Sequence, residues 1–451
     1  MEKVSEVLAE FAAGAGLGSV PERILKTAKL SILDGIGTAL LSSGLDKSRR
    51  TARAVKSASA GGTTTVWGFG FRASALESAL LNGMLVEGLD YSDIHVGAGL
   101  HPTSVILPAV TPYGELNHAS GEKVLVSHVL GCEAMIRLGL SAPGRFHSRG
   151  FQPTSLIGVV GAAVAASKMM GLSKRGTAEA MSLASTLAFG SSLSVRVGAY
   201  FGGVDSGRAA ESGLLAALLA REGIAGIARD SIEGRFGFME AHVGPGNYDL
   251  GPVTRGLGKT WEMRDIFLKR YPTSYACTPM LDAALRLRRR SGLRIAEIEE
   301  IRFGDTAPNI GLFSEPEEVK RRPANIYDAK TSHYFLLALA LGYGEITSSG
   351  LEAKLGDPQV QELADRVRYS LDDMSRWVEV RTKDGRVLRE TQDTLVATPE
   401  RDVRRKYREN ATPRLGAEKA DKIEAMVDDL EELSDIAHLT RLLGTGRRSR
   451  A

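Results

Sequence analysis

The residues from Leu89 to Pro108, LDYSDIHVGAGLHPTSVILP, place two carboxylates (Asp90, Asp93) and two imidazoles (His95, His101) within twelve positions. Gly97, Gly99 and Pro102 interrupt any regular element there, so these side chains are expected on a loop. A carboxylate on one imidazole nitrogen fixes the tautomer and lets the other nitrogen take a proton, the chemistry of general acid–base catalysis. The alternative is a surface loop whose Asp side chains only hydrogen-bond their own turns. No third ligand has a recognisable metal spacing, so no metal site is expected.

Two further stretches suit binding. GRFHSRGFQPTS (144–155) puts Arg145, His147, Arg149 and Gln152 just ahead of an apolar Gly/Ala helix. The N-terminus of such a helix attracts anions through its spare N–H groups and its dipole, so Arg149 and Gln152 are candidate contacts for a carboxylate. KRYPTSYACTP (269–279) clusters Lys269, Arg270, Tyr271, Ser274 and Tyr275 where the texture of the chain changes. Tyr271 and Asp93 join the candidate substrate contacts, and Tyr275 is a candidate second acid or base. Cys277 reads as a small buried apolar residue. The basic runs at 288–290, 320–322 and 404–406 read as solvated faces, although Arg321 and Arg322 could reach an anionic ligand.

These candidates must be positioned by helices. Val4, Val7, Leu8 and Phe11 recur at helical spacing, and further helical stretches run 74–89, 122–138, 153–170, 174–188 and 208–222. Val66-Trp67-Gly68-Phe69 is the one strand-like exception. The stretch 155–170 is apolar nearly all round, which places it at the centre of a bundle. After residue 260 short strands are expected at 297–302, 377–381 and 387–390, with an Asp-Gly hairpin turn at 383–386 and helices at 278–290, 330–341 and 358–366. From 402 to 443 the pattern is helical again. The expected architecture is mainly α: a helical domain built from 1–262 and the returning C-terminal helices 398–451, with a smaller α+β lid at 263–397.

Composition narrows the function classes. With 57 Lys+Arg against 54 Asp+Glu, the net charge of +3 over 451 residues is too small for a nucleic-acid or membrane-surface protein. Two cysteines, Cys132 and Cys277, can form neither a disulfide framework nor a CxxC metal site. The longest apolar run, Leu156–Ala166, falls short of the roughly 20 residues a membrane span needs. The first residues lack a signal-peptide core, so a cytoplasmic setting is expected. No Walker A, HExxH, GxSxG or strand-flanked GxGxxG occurs, so neither dinucleotide nor metal cofactors are indicated. Glycine is in excess, 50 of 451 residues, which suggests helices whose backbones approach closely.

The ordered segments ALLNGMLVEGLDYSDIH, HPTSVILPA, RGFQPTSLIGVVGAAVAASKMMGL, GRAAESGLLAALLAREGIAG, EGRFGF, KRYP, RPANIYDAKTSHYFLLALALGYGEI and LEELSDIAHLTRLL resemble the MmgE/PrpD family over nearly the whole chain. The resemblance implies a helical domain, an α+β lid, a cleft where they meet, and a homodimer. It implies chemistry without redox cofactors on small polycarboxylates: dehydration, decarboxylation or epimerisation by proton transfer beside a carboxylate. It assigns Asp90 and His101 to the active site and Lys269 to a substrate carboxylate. The chain departs from the family pattern at Gln152 and Thr278, where histidines are expected, and at Gly202 and Asp205, where a lysine and a histidine are expected. Gln152 cannot titrate and Gly202 cannot neutralise a carboxylate. Arg196, Tyr200, Tyr275 and His147 are possible replacements. The reading that follows is a cofactor-independent lyase on a small carboxylate-bearing substrate, with an isomerase or epimerase, and then a non-catalytic paralogue, as alternatives.

Overall fold

A computed structural model describes residues 3–193, 203–224, 229–371 and 375–445. The chain forms two compact units, one of Met1–Leu268 with Pro399–Ala451 and one of Lys269–Thr398. As the hydrophobic periodicity predicts, the fold is mainly α with small sheets.

The first unit contains α1 (Val4–Gly14), α2 (Glu22–Ser42), α3 (Asp46–Ala58), β1 (Thr64–Thr65), β2 (Arg72–Ala73), α4 (Ala75–Glu87), β3 (Ile94–His95) and α5 (Thr103–Leu116). It continues with α6 (Gly121–Leu140), α7 (Arg145–Ser148), α8 (Pro153–Met170), α9 (Lys174–Leu187), α10 (Val204–Arg221) and β4 (Ile266–Phe267). Helix α8 is its centre: it packs on α5, α6, α9 and α10 and is buried along nearly its whole length. The glycine excess finds its reason here. A Cβ on Gly207 of α10 would lie 2.0 Å from the Leu80 carbonyl of α4, and one on Gly131 of α6 would lie 2.6 Å from Ala165 Cβ of α8. Only hydrogen side chains let these backbones meet.

Helix α4 begins at a capping box: Ser74 Oγ accepts from Glu77 N–H, while the Glu77 carboxylate accepts from Ser74 N–H at 2.9 Å. The expected strand at 66–69 is instead the turn between β1 and β2. Gly68 takes φ +71 there, Trp67 is buried, and Thr64–Thr65 and Arg72–Ala73 on either side form the ladder.

The second unit contains α11 (Thr278–Ser291), β5 (Ile298–Gly304), α12 (His333–Tyr343), α13 (Pro358–Asp365), β6 (Val367–Ser370), β7 (Trp377–Thr382) and β8 (Val387–Thr391). Its sheet runs β6-β5-β7-β8, parallel between β5 and β6 and antiparallel elsewhere. Ile298, Ile301 and Phe303 of β5 are buried in one core with the apolar residues of α11 and α12. Gly385, at φ +84, makes the expected β7–β8 turn. Strand β6 lies just past the end of the expected 358–366 helix; Val367 is its one fully buried residue. The chain then returns to the first unit as α14 (Glu400–Leu415), α15 (Ala417–Asp428) and α16 (Ala437–Leu443).

Candidate active site

The site grows from the C-terminal end of α4. Glu87 closes the helix, and Asp90 follows at φ +51, a left-handed conformation that costs a non-glycine residue roughly 1–2 kcal/mol and that Asp tolerates better than most. Its N–H donates to the Glu87 carbonyl at 2.7 Å, so the turn doubles back over the helix end. Three contacts fix the residues that follow. The ammonium of Lys406, on α14, donates to the Tyr91 carbonyl at 2.6 Å, sits 3.6 Å from the Tyr91 ring centre and lies 2.7 Å from Asp34 of α2. Asp93 accepts from Thr103 Oγ–H at 2.7 Å and from Thr103 N–H at 3.3 Å, at the start of α5. Strand β3 pairs with β4, Ile94 opposite Phe267 and His95 opposite Ile266.

His101 is held at both ends. Its N–H donates to Thr154 Oγ in the first turn of α8 at 3.1 Å, and its Nδ1 lies 2.7 Å from the Asp93 carbonyl. A carbonyl can only accept, so Nδ1 carries the hydrogen and, in the neutral ring, Nε2 keeps the lone pair, 3.5 Å from Asp90 Oδ1. The expected carboxylate anchor for the imidazole is therefore corrected: a peptide carbonyl sets the tautomer, and Asp90 faces the reactive nitrogen. Its charge favours the imidazolium that forms when Nε2 takes a proton.

Asp93 is corrected too. At 1% exposure with both oxygens turned to Thr103, its carboxyl is no substrate contact; it positions His101 through its peptide oxygen. Burial pushes this carboxyl up to about 7, reinforced by Asp34 and opposed by the Thr103 bonds and Lys406. Lys406, expected on a solvated face, is 4% exposed. Val403, Lys406, Tyr407, Asn410 and Ala411 form the buried stripe of α14, a helical spacing that the sequence displays and that marks Lys406 as interior.

Among the described residues, two groups have donor sets of a metal-binding kind. The ligand atoms of Glu87, Asp90 and His101 lie within 4.8 Å of one another, and so do those of His95, Glu262 and Asp265. Glu87 supplies the third donor that spacing alone did not show. It is buried, one helical turn before Asp90, and accepts from Ser92 Oγ at 3.3 Å. The second group offers no imidazole lone pair. His95 Nδ1 accepts the Ala98 N–H at 3.1 Å, so in the neutral ring Nε2 carries the proton. Burial lowers the His95 pKa, against Asp265 and Glu262.

The 144–155 segment does reach this loop. His147 packs beside Gly99, and Gln152, the N-cap of α8, lies two residues before the Thr154 that holds His101. Arg149 is exposed at the end of α7. Lys269, Tyr271 and Tyr275 belong to the second unit: Lys269 is buried, and Tyr275 opens a short turn ahead of α11. The Tyr271 hydroxyl donates to Asp282 at 2.8 Å; burial first, then Asp282, raises its pKa. Arg321 and Arg322 are also committed elsewhere, Arg321 to Glu317, the Ala364 and Val367 carbonyls and the Tyr334 ring, and Arg322 to Asp365.

Gly202, Arg196 and Tyr200 lie outside the described residues. Gly203 begins α10 at φ +76, and a Cβ on it would come within 2.7 Å of Glu87 Cβ and 2.8 Å of the Met84 carbonyl. Asp205, in the first turn of α10, has its carboxyl raised by burial. The helix thus abuts the acidic end of α4 without adding a cation from either position.

The helical unit thus brings one imidazole within reach of two carboxylates, the residue types that proton transfer uses. The chain belongs to the MmgE/PrpD family, whose N-terminal domain profile matches residues 6–251 and whose C-terminal domain profile matches residues 271–432. It is an enzyme of that family. A cis-aconitate decarboxylase-like protein of Aspergillus oryzae is 29% identical, with 94% of each chain covered. The cis-aconitate decarboxylase of Mus musculus is 27% identical over 98% of this chain and 94% of its own. That of Aspergillus terreus is 27% identical over 98% of this chain and 96% of its own.

Proposed function

We propose that the chain is a lyase, of the decarboxylase or dehydratase type, that acts on a small carboxylate-bearing substrate by proton transfer through His101. The observation that carries this reading is the tautomer. Nδ1–H is committed to the Asp93 carbonyl, so Nε2 is the nitrogen that takes a proton from, or returns one to, a carbon beside a carboxylate. Asp90 stabilises the imidazolium, and Gln152 offers amide hydrogens to substrate oxygens. The lyase class is supported by relatives whose names are decarboxylases and which match almost end to end. Two of the described residues near His101 are carboxylates, Glu87 and Asp90, which disfavours a substrate as densely anionic as a tricarboxylate. A substrate with fewer carboxylates fits better, with Lys269 and Arg149 as its proposed anion partners. A homodimer working in the cytoplasm, with no redox cofactor, belongs to the same proposal.

Incubation in D₂O with a panel of aconitate-like, citrate-like and amino-dicarboxylate compounds, followed by NMR, tests it. A new product that has lost carbon dioxide or water supports the lyase. Deuterium at the acidic carbon with no other change replaces it with the isomerase reading. Turnover that survives His101→Ala overturns the assignment of the base.

A further inference from the structure

The first unit also carries an open cleft of about 380 Å³. It is walled by the β1–β2 hairpin (Thr65, Phe69, Gly70, Phe71, Arg72) and by the C-terminal helices (Lys419, Arg441, Gly444, Thr445). The walls are tied together. Gly68 N–H donates to the Leu443 carbonyl at 2.8 Å, Thr445 Oγ–H donates to the Gly68 carbonyl at 3.3 Å, and Thr65 and Arg72 are paired across the hairpin. Three cationic residues line this space, Arg72, Lys419 and Arg441. All three are exposed, and among the described residues none is in an ion pair. Arg72 is pre-set by one bond, from Nη1 to the Thr63 carbonyl at 3.0 Å. The nearby acid, Glu115, is buried and already satisfied by Thr65 N–H (2.8 Å) and Oγ–H (2.7 Å). The apolar side of the cleft is a pair of half-buried rings, Phe69 and Phe71, with centroids 5.9 Å apart and planes tilted by 50°, and the Lys56 ammonium lies 5.1 Å from the Phe71 ring centre.

We propose that this cleft is a second ligand site, for a nucleotide: a flat ring laid against Phe71, with its phosphates on Arg72, Lys419 and Arg441. Guanidinium groups match phosphate oxygens through paired N–H donors, and Lys419 adds a point charge. The cleft volume suits a ligand of mononucleotide size. A ring without phosphate leaves three cations unmatched, and a phosphate chain without a ring leaves an aromatic face wet. The inference uses no residue of the His101 site and stands independently of the proposed reaction.

Calorimetry on the full chain in phosphate-free buffer, with ADP, pyrophosphate and adenosine as probes, tests it. ADP is expected to bind in the sub-millimolar range, pyrophosphate and adenosine each at least tenfold more weakly, and ADP binding is expected to weaken as salt is raised. Charge reversal at two exposed helical positions, Lys419→Glu with Arg441→Glu, should abolish ADP binding with an unchanged melting temperature. Phe71→Ala should weaken ADP at least tenfold and leave pyrophosphate unaffected. No heat with ADP, or ADP binding that ignores the double reversal, overturns the site. Pyrophosphate binding as tightly as ADP overturns its assignment to nucleotides.

Discussion

Each unit holds a histidine beside an aspartate, and the two pairs are built for opposite ends. In the helical unit His101 is 13% exposed and its partner Asp90 26%; Nδ1 is committed to a carbonyl and Nε2 lies 3.5 Å from Asp90. In the α+β unit His333 and Asp305 are both fully buried, with Nε2 3.7 Å from Oδ2. Ser314 Oγ lies 3.0 Å from His333 Nδ1, Arg376 donates to Asp305 Oδ1 at 3.0 Å, and Phe303 and Phe313 pack on the imidazole. By residue type the second set is a Ser-His-Asp array, yet it is walled in by aromatic rings. Burial drives its histidine down to about 4, so the ring stays neutral. Proton transfer needs a ring with a fixed tautomer and an approachable nitrogen; composition of the cluster does not supply that.

The largest expected difference between the pairs is in turnover. His101→Ala should reduce kcat by about 10²–10⁴-fold, the range of a lost general acid or base, with a melting temperature near that of the wild type. His333→Gln should leave kcat within a few-fold of wild type and lower the stability of the α+β unit. Steady-state kinetics and calorimetry on the two variants separate them. Equal losses of activity in both would erase the contrast.

Much of this was readable in the sequence, and the misses have physical reasons. Asp90, His101 and the crowded helices α4, α8 and α10 follow from residue types, from glycine content and from spacing. The acceptor that sets the His101 tautomer is a peptide carbonyl, and a backbone oxygen has no residue letter to betray it. Asp93 looked like a substrate contact because its type was visible and its burial was not; one bond from Thr103, ten residues on, decides its role. Lys406 was legible in principle, since it shares a helical stripe with Val403, Tyr407 and Ala411, but its place in an Arg-Arg-Lys run suggested solvent. Glu87 lies in the same motif as Asp90, and only folding the chain back at φ +51 joins the two carboxylates at the imidazole.

Lys406 offers the next largest effect. It is buried against Asp34 and holds the loop through the Tyr91 carbonyl, two residues before the carbonyl that holds His101. Lys406→Met strands the Asp34 charge, so it should destabilise the helical unit by about 3–5 kcal/mol, as broken buried pairs do. As a positioning residue it should also lower kcat more than it raises KM, because the imidazole loses its fixed direction. The ¹⁵N spectrum of His101 reads this directly: Nδ1–H in the wild type, a mixture of tautomers in the variant. The double change Asp34→Leu with Lys406→Met removes both charges and should recover most of the stability. Wild-type stability in Lys406→Met alone would show that the pair does not hold the loop.

The smallest effect is a pH dependence that separates the two buried titrating groups by sign. His333 has a folded pKa of about 4, below the ordinary 6.5, so from pH 6.5 down to 4 the unfolded chain takes up a proton that the folded unit does not. Stability of the α+β unit should therefore fall as pH drops through that window, by at most about 1.4 kcal/mol per pH unit, and level off below it. Asp93 runs the other way. Its folded pKa of about 7 lies above the ordinary 3.8, so from pH 4 to 7 the unfolded chain loses a proton that the folded helical unit keeps, and this group costs stability as pH rises. Amide exchange resolved onto α12 and onto α5, at pH 4, 5.5 and 7, follows each unit separately, which a single melting curve for a two-unit chain cannot. His333→Gln should flatten the acid-side loss in α12 alone. Asp93→Asn should make α5 relatively more stable at pH 7 than at pH 4, by a few kcal/mol at most. An Asp93→Asn difference that does not change with pH would mean that Asp93 is ionised in the fold, and that the Lys406 ammonium outweighs its burial.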